Sequence, residues 1–238
     1  MLDAKSALDS HPNLRSREIA PSWHTAVLLA VLLFFSGLSA YSHTLSPVAA
    51  KHGKVLGYGF VIVTQWMVLA FVGYGVRRRD LSLRDLIRGS WPKWTSVLRD
   101  VALAVAFLII SSMILAGVSH LLHASNGEVA LRVLPRTRAE IAAYLLLCAT
   151  AGFCEEIIFR GYLHRQFTAW SGSTYAGLLL QALLFGLAHG YQGARLMTVI
   201  AVFGCLFGLL AQWRQSLRPG MIAHFLQDAS AVLLTLHR

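Results

Sequence analysis

The chain has 238 residues, of which 56% are hydrophobic and only 13% charged, about half the roughly 25% charged residues of a soluble domain. With a mean hydropathy of +0.58, this composition excludes an ordinary water-soluble globule and leaves no room for a second sizeable domain beside one helix bundle. The net charge of +10 would point to nucleic acid in a soluble protein, but here the basic residues lie between apolar runs, where they set topology against anionic lipid, and no nucleic-acid partner is expected.

Residues 1–21 are polar and mixed in charge and are expected to form a flexible tail. The long, acid-containing leader argues against a cleaved signal peptide and for an uncleaved first span. Seven apolar segments follow, at roughly 22–42, 56–76, 101–122, 139–158, 174–190, 196–213 and 219–236. About 20 residues cross the hydrocarbon. The first three segments are clear spans; the last four are shorter or carry polar groups, as expected of helices packed around a site. The predicted fold is therefore all-α, a polytopic transmembrane bundle of about seven spans, some short or broken, around a polar intramembrane cavity. Residues 22–136 form its N-terminal helices and 137–238 its C-terminal, site-bearing bundle.

The 77–100 loop carries Arg77, Arg78, Arg79, Arg84, Arg88, Lys93 and Arg99, which mark it as cytoplasmic. The N-terminus, two spans earlier, is then cytoplasmic too. Arg132, Arg136 and Arg138 fall on the outer side in this scheme. Trp23, Trp91, Trp94 and Trp213 are expected as interfacial anchors. The cysteines Cys148, Cys154 and Cys205 lie inside apolar runs without metal-ligand spacing, and are expected to be free thiols. Gln65 and Gln181 are expected to bond across helices, and His120 and His123 receive no role.

Glu155 and Glu156 are adjacent in the run Cys154-Glu155-Glu156-Ile157-Ile158-Phe159-Arg160-Gly161. Carboxylates in a membrane segment are costly and need a partner, a hydrated cavity or a reaction. Neighbouring helical residues point about 100° apart, so the two acids are expected to act separately. Glu156 and Arg160 are four apart with the acid first, the favourable order for an ion pair; Glu155 is left free. Gly172 lies midway between Glu155 and His189, so a hairpin turning at Ser171-Gly172-Ser173 would bring them to one level. His224 and Asp228 share a helix face; such a histidine can bind a metal or stabilise an oxyanion. Arg218-Pro219-Gly220 signals the start of that helix.

The run Glu155-Glu156-Ile157-Ile158-Phe159-Arg160 resembles the EExxxR motif of the CAAX-protease and bacteriocin-processing (CPBP, or Abi) family. Phe185-Gly186-Leu187-Ala188-His189 is similar to its FxxxH motif. His224-Phe225-Leu226-Gln227-Asp228 is similar to its last motif, a His followed four residues later by Asn or Asp. The resemblance spans about residues 139–236 and implies an intramembrane endopeptidase, similar to the type II CAAX prenyl endopeptidases. It implies that Glu155 and His189 activate water, that His224 and Asp228 stabilise the tetrahedral oxyanion, and that Glu156 and Arg160 hold the helix. It also implies glutamate-dependent chemistry without a catalytic metal, and the HExxH spacing of common zinc peptidases is absent. Asp228 departs from the Asn of the prenyl endopeptidases: an ionised Asp only accepts, so it must be protonated or else orient His224.

The expected partners are the lipid bilayer and a membrane-associated protein or peptide, with a cavity opening to the cytoplasm to admit water and substrate. Three other classes compete. A zinc-type peptidase would use Glu155, His189 and His224 as ligands with one position open for water. A binding or immunity protein would use the cavity for recognition alone. A transporter would be expected to show an internal repeat, and none is seen.

Overall fold

The computed structural model describes residues 18–45, 53–124 and 133–233. Most of the expected tail (1–17), and Arg132, lie outside them. Within the described residues the chain is helical throughout: α1 (Ser22–Leu45), α2 (Lys54–Arg77), the short α3 (Leu83–Ile87), α4 (Trp94–Leu121), α5 (Arg138–Ser171), α6 (Thr174–Ala188), α7 (Ala194–Arg214) and α8 (Arg218–Ser230). Four of these, α2, α4, α5 and α7, are long and apolar enough to cross a membrane; α1 and α6 contribute shorter apolar stretches.

Burial sorts the long helices. The apolar windows of α2 and α4 are 17% and 11% buried, that of α5 50%. Phe60 and Met67 on α2 and Ile109 and Met113 on α4 are exposed, as suits helices facing lipid. The central α5 packs against α2 and α8, while α6 pairs with α7. Small residues permit the close approaches. A Cβ on Gly152 of α5 would lie 2.9 Å from the Met221 carbonyl of α8, and one on Gly220 of α8 would lie 3.1 Å from Glu156 Oε2.

The fourth apolar segment, expected to end near 158, instead continues as one helix of 34 residues to Ser171. At 1.5 Å per residue it measures roughly 50 Å, well beyond the ~30 Å hydrocarbon. The 160–171 stretch, expected at the interface or beyond, is helical and largely buried: Arg160, His164, Gln166 and Phe167 all lie inside. Its polar groups have partners within the fold. Gln166 accepts from the amides of Ile19 (3.0 Å) and Ala20 (3.3 Å) and donates to the Ala20 carbonyl. Residues 18–21, assigned to the tail from sequence, are thus fixed in the core.

The hairpin forms where the Ser-Gly-Ser turn places it. Gly172 adopts φ +68 after α5, a conformation glycine takes without steric cost. Ser173 then caps α6, its side chain accepting from the Ala176 amide. Gln65 and Gln181 both bond across helices, to Glu155 and to the Gly204 carbonyl. All three cysteines are free.

The 77–100 segment closes one end of the bundle. Asp85 and Ser82 form a capping box at α3, Arg165 donates to the Asp85 carbonyl, and the Leu217 amide donates to Ile87 O. Trp91, expected as a lipid anchor, donates its indole N–H to Asp100 at 2.9 Å and lies under the Arg218 guanidinium at 4.7 Å. All four tryptophans expected as anchors, Trp23, Trp91, Trp94 and Trp213, remain exposed.

Candidate active site

Midway along α5 the backbone changes pitch. Residues Glu156–Leu163 form a π-helix, with the His164 amide donating to Phe159 O. Runs of i→i+5 bonding are rare and cluster at functional sites. The preceding residue, Glu155, ends the α-helical half, so the change of pitch falls between the two acids.

The acids part company there. Glu156 is fully buried and shares Oε1 between Arg160 Nη1 and His224 Nδ1, each at 3.0 Å. The Arg160 guanidinium is stacked 4.1 Å from the centre of the Phe185 ring and 5.0 Å from that of Phe207. Its Nη2 reaches Gly204 O at 3.5 Å. This cluster joins α5, α6, α7 and α8. Glu155 instead lines a cavity of about 370 Å³. Its Oε1 accepts from Gln65 Nε2 of α2 at 2.7 Å. Its Oε2 has no hydrogen-bond partner and lies 3.8 Å from His224 Nε2.

The two histidines have defined ring polarity. Carboxylates and carbonyls only accept, so each Nδ1 carries the hydrogen: His224 Nδ1 donates to Glu156, and His189 Nδ1 donates to Phe185 O at 2.8 Å. In the neutral His189 ring, Nε2 is then the basic nitrogen. His224 Nε2 lies between Glu155 Oε2 and Asp228 Oδ2, the latter at 3.6 Å.

Glu155, His189, His224 and Asp228 therefore border one cavity, together with Gln65, Tyr144, Tyr191 and Gln227. Glu156 and Arg160 lie behind its wall. Of the polar lining, Gln65 was singled out from sequence only as a helix-packing group, and Tyr191 not at all; neither belongs to a motif. Tyr144 donates from α5 to the Asp228 carbonyl at 3.3 Å, tying the end of α8 in place. Among the described residues no set of three His, Cys, Asp or Glu side chains is arranged to hold a metal ion.

The cavity lies between α2, α5 and the later half of α8. Its α5 wall runs from Glu155 back through Ala151, Cys148 and Leu147 to Tyr144, and Val133 and Leu134 complete that end. The chain beyond Glu155, residues 156–163, is buried throughout.

Residues 137–230 match the family model described as type II CAAX prenyl endopeptidase Rce1-like. The resemblance drawn from the three motifs holds over this segment, and that family is a protease family. With four long apolar helices, the match marks the chain as an integral membrane protein. No curated protein and no solved structure matches it.

Proposed function

We propose that the protein is an intramembrane endopeptidase that hydrolyses an internal peptide bond of a membrane-associated protein, with Glu155 as the base. The observation that carries this reading is the asymmetry of Glu155. Glu155 lines the cavity, one carboxylate oxygen fixed by Gln65 and the other buried without a hydrogen-bond partner, 3.8 Å from His224 Nε2.

Water held in the cavity against the Glu155 carboxylate loses a proton to it as the oxygen attacks the scissile carbonyl carbon. The carbonyl π electrons move onto oxygen, and the oxyanion accepts from Nε2–H of the protonated His224, whose ring is fixed by its Nδ1 bond to Glu156. Collapse of the intermediate breaks the C–N bond, and the proton held by Glu155 passes to the leaving amine. His189, with Nε2 as its basic nitrogen, assists the transfer. Asp228 lies beside His224 Nε2 and balances the imidazolium charge, so it orients His224 and need not donate to the oxyanion. No Lys or Arg lines the cavity, so a substrate's terminal carboxylate finds no strong cationic partner there. That favours internal cleavage over removal of a C-terminal residue.

Glu155→Ala and His189→Ala are each expected to abolish cleavage while the protein accumulates normally in the membrane, and chelators are expected to leave wild-type turnover unchanged. Cleavage is read as accumulation of an uncut precursor in comparative membrane proteomics. Normal turnover by Glu155→Ala sinks the reading; loss of turnover on chelation, restored by zinc, would move the chemistry to a metal.

A further inference from the structure

We propose that Gln65 is a further catalytic residue: one hydrogen of its amide holds Glu155, and the other donates to the oxyanion that forms on the substrate. This inference rests on the peptidase reading. Gln65 comes from α2, outside the matched segment 137–230, and belongs to none of the three motifs. It nevertheless lines the same cavity as Glu155, His189, His224 and Asp228.

The first observation is how the amide is held. A glutamine that only packs helices together spends its donors on neighbouring backbone. Gln181 does so: its Nε2 donates to the carbonyls of Leu178 at 3.0 Å and of Gly204 at 3.1 Å, which uses both hydrogens. Gln65 offers the same two N–H donors and one carbonyl acceptor. Among the described residues its side chain makes one hydrogen bond, from Nε2 to Glu155 Oε1 at 2.7 Å. Its Oε1 is buried without a hydrogen-bond partner. The amide is therefore fixed by Glu155, and its second N–H is left over beside the base.

The second is what the oxyanion lacks. His224 Nε2–H supplies one donor. Asp228, one turn further along α8, lies 3.6 Å from that same nitrogen, and a carboxylate only accepts. Tyr144 spends its hydroxyl hydrogen on the Asp228 carbonyl, and Gln192 donates to the Tyr191 hydroxyl at 2.9 Å. Gln65 is the neutral donor in direct contact with the base. The water that Glu155 activates attacks the carbonyl carbon, and the developing oxyanion is one bond from that carbon. A donor touching Glu155 from the cavity wall is within reach of it.

The third is the movement of charge. Before attack the negative charge sits on Glu155. As the water O–H bond breaks, its proton passes to Glu155, the new O–C bond forms, and the carbonyl π pair moves onto the substrate oxygen. Glu155 is then neutral and the charge lies on the oxyanion, which accepts from Nε2–H of both Gln65 and His224. No proton leaves Gln65. One amide with a hydrogen toward each site faces a negative partner before and after the step. Donors already aimed at the developing charge stabilise it without reorganising.

The test uses the purified full-length protein and a peptide spanning a cut site that terminal proteomics shows to depend on Glu155. Gln65→Met and Gln65→Leu remove the amide from an apolar helix without adding a polar group, and both are expected to melt close to wild type. Each is expected to lower kcat by about a hundred-fold or more, the scale of one oxyanion donor, with KM unchanged, as for a contact made only in the transition state. A second peptide carries sulfur in place of the scissile carbonyl oxygen. Sulfur accepts hydrogen bonds weakly, so the same substitutions are expected to cost this peptide about ten-fold at most. A wild-type kcat in both variants overturns the inference and makes the amide a packing group. Equal fractional losses on the two peptides also overturn it, because Gln65 then acts only through Glu155. Either result leaves the peptidase reading standing. If no terminus depends on Glu155, the peptidase reading itself falls, and this inference with it.

Discussion

Replacing Glu156 by Ala leaves the Arg160 guanidinium buried without its carboxylate, and losing one partner of a buried pair costs about 3–5 kcal/mol. The expected outcome is a fall in thermal stability and in membrane accumulation, measured in detergent against wild type. His224→Asn separates structure from chemistry at the neighbouring residue. The Asn amide nitrogen can occupy the Nδ1 position and donate to Glu156, but nothing replaces Nε2. The variant is expected to melt close to wild type while losing cleavage by at least a hundred-fold, the scale of an oxyanion donor. A variant that both folds and cleaves would remove Nε2 from the reaction. The division of labour between Glu155 and Glu156 was legible in the sequence, because the i,i+4 spacing to Arg160 singles out one acid. The Gln65 bond to Glu155 was not: α2 carries no motif, and a lone amide in an apolar helix gives no sign of which helix it will meet.

At the scale of elements, the approach of α5 and α8 sets the position of His224 against both acids. Any Cβ at Gly152 meets the Met221 carbonyl at 2.9 Å and the Phe225 amide nitrogen at 3.0 Å, backbone atoms that move only with the whole helix. Gly152→Val is expected to push α8 outward, lengthen the His224–Glu156 bond and abolish cleavage, with a smaller loss from Gly152→Ala. Both are read by turnover at matched protein levels. At the basic end, Asp85 accepts from the Ser82 amide and hydroxyl, each at 2.7 Å, and these bonds hold its carboxyl below the usual range. A depressed folded-state pKa contributes stability that is present above the unfolded value, about 3.9, and lost as pH falls through the folded one. The protection of α3 amides, taken relative to their intrinsic exchange rate, is therefore expected to be higher at neutral pH and to fall below about pH 4; protection that does not change with pH would contradict the cap. Helix existence was legible from hydropathy, and the α5–α6 hairpin from Ser171-Gly172-Ser173. The π-helical segment was not, because local sequence encodes i→i+4 and i→i+5 bonding alike, and the packing of Tyr162, Arg160 and Glu156 decides between them. The continuation of α5 to Ser171 was hidden for a related reason. Its polar residues looked solvated, but Gln166 is satisfied by the backbone of Ile19 and Ala20, far away in sequence.

For the molecule as a whole, the cavity lies toward the end of the bundle that holds Lys54 and Arg138, and the buried Ile157, Leu163, Leu86 and Leu217 pack toward the basic end. The motifs identified which residues meet; only the three-dimensional packing showed which end of the bundle they lie nearer. That placement depends on which half of each helix faces the cavity, and the sequence does not order those halves around a common axis. The central claim is that Glu155 activates the hydrolytic water. Its most direct test is terminal proteomics on membranes carrying equal amounts of wild-type or Glu155→Gln protein, since the amide keeps the shape and a hydrogen-bonding oxygen for Gln65 but cannot take a proton from water. The account predicts a membrane protein that is cut with wild type and intact with Glu155→Gln; the same termini at the same yield from both would contradict it.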